Sequence, residues 1–259
     1  MGKIKDKDLR LGEERISNQG CLMKIVEYNR ATDIIVEFQD EHKAKVHTNY
    51  ACFLKGAVRN PYHTLIYGVA TKGDSLPTKI NGEMVKEYKV WFQMIRRCFA
   101  TRDCEPTYEN VTCCKEWLYY PNFYEWLHSQ PNFDKWLNGD RWCLDKDILV
   151  KGNKIYSPET CCLVPQNVNA LFTKHDVARG DCPVGVIKHR DRFAARCMNP
   201  FTRKQVTIGY RFTKLNAFNL YKTYKENIIK QVAQIEYDNG NITQKCYEAM
   251  MKYEVEIDD

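Results

Sequence analysis

The sequence predicts a multidomain α+β protein: a small SH3-like β-module, a central helical segment leading into a ββα unit, and a C-terminal three-stranded sheet packed on a helix. Three observations carry that expectation. Between Gly20 and Val46 the apolar residues come in short strand-like runs, from Glu83 to Trp136 they recur at helical spacing, and beyond Gly185 short strands return ahead of one more helical stripe. The 259 residues allow more than one core. At 44% hydrophobic and 28% charged, with a mean hydropathy of −0.56, the composition fits a water-exposed globular chain and excludes a membrane-embedded one. The expected division is a β-module at 1–70, a linker at 71–83, helices plus the ββα unit at 84–172, a second linker at 173–183 and the basic module at 184–259.

The first strands are the runs Cys21 to Tyr28 and Asp33 to Phe38, joined by the polar turn Asn29-Arg30-Ala31-Thr32. His42 to Tyr50 supplies a third strand, and Cys52-Phe53-Leu54 with Gly56 and Pro61 reads as a short return, which together make an SH3-like module. Thr71 to Pro77, with Asn81-Gly82, is rich in turn formers and marks the first boundary. Tyr88, Trp91, Phe92, Ile95 and Phe99 then lie on one helical stripe. Trp117, Leu118, Phe123, Trp126, Leu127, Phe133 and Trp136 continue the pattern, interrupted by Pro121 and Pro131; at this spacing aromatics are packing residues rather than stacking platforms for bases.

Twelve cysteines would suggest disulfides in a secreted protein, but the N-terminal residues carry no apolar signal segment and Asp6 removes the myristoylation pattern. The thiols are therefore expected to be small buried hydrophobes. No CxxC occurs, so Cys98, Cys104, Cys113 and Cys143 lack zinc-knuckle spacing and no zinc site is assigned. The net charge of +6 is too modest to imply a nucleic-acid partner by itself; its distribution matters more.

Trp142 to Leu149 reads as a strand end bearing Asp145, Lys146 and Asp147, and a second strand is expected after Gly152-Asn153-Lys154. Pro158 to Asn169 follows as a turn, a short strand and a helix start. A ββα unit of this kind brings an acidic residue near a helical amide, which suits one hard divalent cation with positions left for phosphate and water.

These residues resemble the HNH-type endonucleases of bacteriophages and mobile elements, including homing-type enzymes. In that family Asp-His ends the first strand, Pro-Glu-Asn-Leu-Arg-Leu-Val precedes the helix, and an Asn lies on it. Here Leu144-Asp145-Lys146 lies against Asp-His, Pro158-Glu159-Thr160-Cys161-Cys162-Leu163-Val164 against the second stretch, and Asn169 against the helical Asn. The resemblance implies a nuclease, a hydrolase of double-stranded DNA, with Asp145 and Asn169 as ligands of magnesium or manganese. It departs where Lys146 replaces the His that takes a proton from water and Thr160 replaces the loop Asn. A lysine near its usual pKa of about 10.4 is no base. Lys146 would then hold phosphate without cutting, Asp147 would stand in for the histidine, or His175 or His128 would reach in.

From Lys188 to Lys204 the cations Lys188, Arg190, Arg192, Arg196, Arg203 and Lys204 face Asp191 alone. Even spacing puts Arg190, Arg192 and Arg196 on one face of a sheet built from Phe193 to Cys197 and Gln205 to Tyr210. Thr213 caps a helix that runs to Tyr224 and packs behind it, and a last helical stretch spans Asn241 to Val255. The order Gly-Val, basic strand, Ile-Gly-Tyr, Phe-Thr, helix resembles the plant ethylene-response-factor DNA-binding fold, which implies that the three arginines meet a DNA groove. The leading expectation is a phage-type DNA-binding HNH endonuclease acting in the cytoplasm of an infected bacterium. The alternatives are a catalytically inactive DNA-binding regulator on the same scaffold, and an adaptor whose N-terminal module takes a protein partner. Target sequence and oligomeric state are not encoded in any of these patterns.

Overall fold

A computed structural model describes residues 9–63, 66–73, 75–100, 109–173, 181–257 and 259. Cys104, His175 and most of the expected 173–183 linker lie outside the described residues. By internal contacts the chain divides into two units, residues 1–109 with 113–125, and residues 110–112 with 126–259. The turn-rich segment 71–83 lies within the first unit; the Asp145 region and the basic sheet both lie in the second.

The first unit begins with an antiparallel meander of four strands, β1 (Glu14–Ile16), β2 (Leu22–Arg30), β3 (Asp33–Phe38) and β4 (Lys45–Thr48), in the order β1-β2-β3-β4. Strict alternation buries Ile34, Val36 and Phe38 of β3. On β2 the register slips between Ile25 and Glu27, and this bulge carries the inward set from Met23 and Ile25 to Tyr28. The expected return strand at Cys52-Phe53-Leu54 is instead a helix, α1 (Tyr50–Leu54). Its start is set by Asn49, whose side chain accepts from the Cys52 amide at 2.8 Å, and the turn drops Phe53 onto the sheet, fully buried.

A small hairpin, β5 (Lys79–Ile80) and β6 (Glu83–Met84), turns at Asn81-Gly82, both with positive φ, as a two-residue loop demands. Helix α2 (Lys86–Phe99) buries Tyr88, Trp91, Met94 and Ile95. The indole of Trp91 donates to the Trp117 carbonyl at 2.7 Å, and Tyr120 meets the rings of Tyr88 and Trp91, so the aromatics are core as expected. The expected helical run to Trp136 breaks at its prolines into a 3-10 turn (Lys115–Leu118) after β7 (Thr112–Cys113), then α3 (Tyr120–His128) and α4 (Phe133–Asn138).

In the second unit, β8 (Trp142–Asp145) pairs antiparallel with β10 (Cys162–Pro165), while β9 (Ile155–Tyr156) lies outside that pair. In this register Asp145 faces Cys162 and Leu144 faces Leu163, so the partner of β8 is the short strand expected within Pro158–Asn169. Helix α5 (Gln166–Asn169) follows β10 and packs on both strands. A three-stranded antiparallel sheet, β11 (Val186–His189), β12 (Arg192–Asn199) and β13 (Lys204–Arg211), packs on the long helix α6 (Lys214–Asp238). The chain ends with α7 (Gln244–Met251) and a tail whose Val255 is buried. Helix α6 is more than twice the expected length because its stripe continues through Ile228, Ile229, Val232 and Ala233 into a second core with Cys162, Val164, Val168, Cys246 and Met250. No helix is long and apolar enough to cross a membrane among the described residues.

Candidate nucleic-acid interface and the Asp145 loop

Directly opposed residues of an antiparallel sheet share a face, so the register sorts the cations. On β12, Phe193, Ala195 and Cys197 pack toward α6, and Arg192, Ala194, Arg196 and Met198 therefore point away from it. His189 opposes Arg192, Tyr210 opposes Ala194, and Thr207 opposes Arg196 on that same outer face. A bulge at Ile208 lets Ile208 pack inward while Thr207 and Tyr210 both stay outside.

Of the six cations expected to meet DNA, Arg192 and Arg196 share this outer face. Arg190 does not lie on the strand: it sits in the two-residue turn between β11 and β12 with φ 56°, so even spacing failed where the strand ended. Arg203 occupies the β12–β13 turn with φ 54°. Lys188 opposes Phe193 and Lys204 opposes Asn199, which places both on the helix side of the sheet, at exposed edges.

The outer face mixes charge with rings. The Arg192 guanidinium lies 4.8 Å above the Phe212 ring, and His189 meets Tyr210 with ring centroids 5.2 Å apart. Phe212 is 72% exposed and Met198 56%. The Nε of Arg196 is buried without a hydrogen-bond partner among the described residues. His189 and Thr207 were not singled out from sequence, and Tyr210 entered only as the end of the Ile-Gly-Tyr motif; their shared face becomes visible once each strand is set against its neighbour.

At the end of β8, Asp145 turns one carboxylate oxygen back on its own chain. Its Oδ1 accepts from the amides of Asp147 and Ile148, each at 2.7 Å, and its Oδ2 has no hydrogen-bond partner among the described residues. Burial pushes the Asp145 carboxyl up, and the two amide bonds only partly pull it back. Lys146 is buried to 8% exposure; its ammonium pairs with Asp147 and donates to the Asn153 carbonyl at 3.1 Å. Asn153 closes the loop by donating to the carbonyls of Lys146 at 2.8 Å and Ile155 at 2.7 Å. Asp145, Lys146 and Asp147 thus form one clasp, built around an asparagine that sequence reading did not single out.

Asn169 ends α5. Its carbonyl accepts from the Phe172 amide at 3.1 Å, and its side-chain amide has no partner among the described residues. Thr160, at the position of the loop Asn, is spent on its own turn, donating to the Ile155 carbonyl at 2.7 Å and sharing a hydrogen bond with Ser157. His128 lies at the end of α3 against the ring of Phe133. Among the described residues no group of three or more His, Cys, Asp or Glu comes together that could hold a metal ion. Cys113 instead hydrogen-bonds Cys98, which with burial pushes its thiol well up.

Asp145 and Asn169 carry oxygens of the kind that a hard cation takes, but Asp145 belongs to no group of three or more His, Cys, Asp or Glu among the described residues. Lys146 does not fit the role of the histidine, because its ammonium is already bonded within the loop. Set against family models, curated proteins and solved structures, the chain matches none of them.

Proposed function

We propose that this chain binds duplex DNA by laying the outer face of the β11–β12–β13 sheet in a groove. The observation that supports it is the placement of Arg192 and Arg196 on one outward face with His189, Thr207 and Tyr210. Guanidinium groups on a sheet suit guanine edges and phosphates, and strands are known groove readers. The test is a gel-shift titration at several salt concentrations. Arg192→Ala and Arg196→Ala should each weaken binding about tenfold or more, while Lys188→Ala, on the helix side, should change it little. Equal losses from all three, or from none, would overturn the assignment of the face.

A second reading, that the chain also cleaves DNA as an HNH-type ββα-metal nuclease, draws on the two open oxygens at Asp145 and Asn169. A magnesium or manganese ion bound there would offset negative charge at the phosphate under attack. Asp145 and Asn169 would hold the ion, and Asp147, half exposed beside the clasp, is the carboxylate base that replaces the histidine. Lys146 supports the loop and takes no proton. Nicking of plasmid with either ion, abolished by Asp145→Ala with the gel shift intact, would establish cleavage; a shift without nicking leaves an inactive DNA-binding protein on a nuclease scaffold. In the adaptor alternative the N-terminal sheet, as an SH3-like module, takes a protein partner, and DNA affinity would be weak and insensitive to salt.

A further inference from the structure

Register sets a row of side chains across one end of the basic sheet. Arg192 opposes His189 on one side; on the other, Arg211 opposes Phe193, so the residue after β13, Phe212, falls beside Arg192. The Arg192 guanidinium lies 4.8 Å over the Phe212 ring. Asp191 stands 4.0 Å from its Nε, beyond hydrogen-bond reach, and with 78% of its own side chain exposed it is well screened by water. Arg211 differs: its Nη1 is already spent on the Tyr210 carbonyl at 2.8 Å. A ring attracts a cation through its face and takes none of its hydrogens. Among the described residues Arg192 is therefore seated while its N–H donors stay open.

Phe212 is placed for this and used for little else. Its ring belongs to neither core of the second unit. Its backbone is fixed on both sides, by the end of β13 and by Thr213, whose hydroxyl accepts from the Asn216 amide at 3.2 Å and starts α6. A long arginine that swings freely loses that freedom on binding, whereas one already seated has less to lose. We propose that Phe212 is a positioning residue: its ring holds the Arg192 fork ready for two acceptors set side by side, as a guanine edge or a phosphate presents them. This deepens the DNA-binding reading above and rests on it. Arg192 touches the DNA, and Phe212 acts through Arg192.

The test is a double-mutant cycle with the full chain on a duplex that it has selected from a random pool, with Tm recorded for every variant. Phe212→Leu keeps apolar bulk without a ring and should weaken binding about threefold, while Phe212→Trp, which restores a ring, should bind at least as well as the unmodified chain. In an Arg192→Ala background Phe212→Leu should change affinity by less than about 1.5-fold, because the group it positions is gone. Single guanines are then replaced by 7-deazaguanine and single phosphates by methylphosphonate. One such replacement should cost the unmodified chain about tenfold and Arg192→Ala little, and the arm in which it falls tells base edge from phosphate. Equal losses from Phe212→Leu with and without Arg192, or no loss at all, overturn the positioning role and leave DNA binding standing. A loss that follows a fall in Tm and is not rescued by Phe212→Trp overturns it as well, since the ring would then only support the sheet. A chain that selects no duplex from the pool overturns both readings.

Discussion

At Asp145 one side chain performs two tasks that pull in different directions. Its Oδ1 satisfies the amides of Asp147 and Ile148, while burial of the charge pushes the carboxyl up. Asp145→Ala strands both amides and should cost about 1–3 kcal/mol in urea denaturation, whereas Asp145→Asn keeps an acceptor, sheds the buried charge and should recover most of that loss. Equal destabilisation by both variants would mean that the amide bonds are not what holds the loop. Lys146→Ala tests the other half of the clasp. Asp147 is 47% exposed at its side chain and can rehydrate, so the cost should stay near 1–3 kcal/mol, with duplex affinity changed less than twofold. A large loss of affinity without loss of stability would restore Lys146 as a phosphate ligand. The sequence made Asp145 and Lys146 conspicuous because charges beside a strand are easily seen. It did not reveal that Asn153 fastens them, since a loop asparagine has no periodicity to betray its partners.

At the scale of elements, packing explains why some spans were legible and others were not. Helix α2 and strand β12 show their inward faces by spacing alone, whereas the length of α6 is set by a second core whose other half lies in β10, α5 and α7. The Gly-Val at the start of β11 has a physical reason: Gly185 has φ 70°, and a Cβ there would lie 2.1 Å from Cδ2 of Tyr221. Gly185→Ala should therefore lower stability by about 2–4 kcal/mol, read as a fall in Tm, and should weaken DNA binding only through the sheet's loss of support. Glu226 gives a pH test. Burial pushes its carboxyl up, but the Lys222 ammonium and the Val255 amide outweigh this and hold it below the usual range. A lowered carboxyl lends stability that is present above the unfolded value of about 4.3 and is lost as pH falls through the lower folded value. Glu226→Gln should accordingly cost about 1 kcal/mol or less near pH 7, and the gap from the unmodified chain should close at acid pH below that value. A gap that widened on acidification would reverse the sign and remove the tail clamp.

For the molecule as a whole, a net charge of +6 decides little, because most of the chain's 39 basic residues are answered by its 33 acidic ones. What matters is how many cations one face can present to phosphates at once. Counting cations from Lys188 to Lys204 gives six, but the register moves Lys188 and Lys204 to the helix side and leaves Arg192 and Arg196 on the outer face, with Arg190 and Arg203 in the flanking turns. Each phosphate neutralised releases counterions and adds about 0.9 to the slope of log K against log salt. Four contacts therefore predict a slope of about −3.5, not the −5 or so that six would give. Replacing an arginine that meets a phosphate should flatten the slope by about 1, and one that meets a base edge should lower affinity with the slope nearly unchanged. Lys188→Ala and Lys204→Ala should leave the slope as it is. A slope near −5 that falls with both lysines would show that DNA wraps past the sheet edges, and the face assigned from the strand register would then be too narrow.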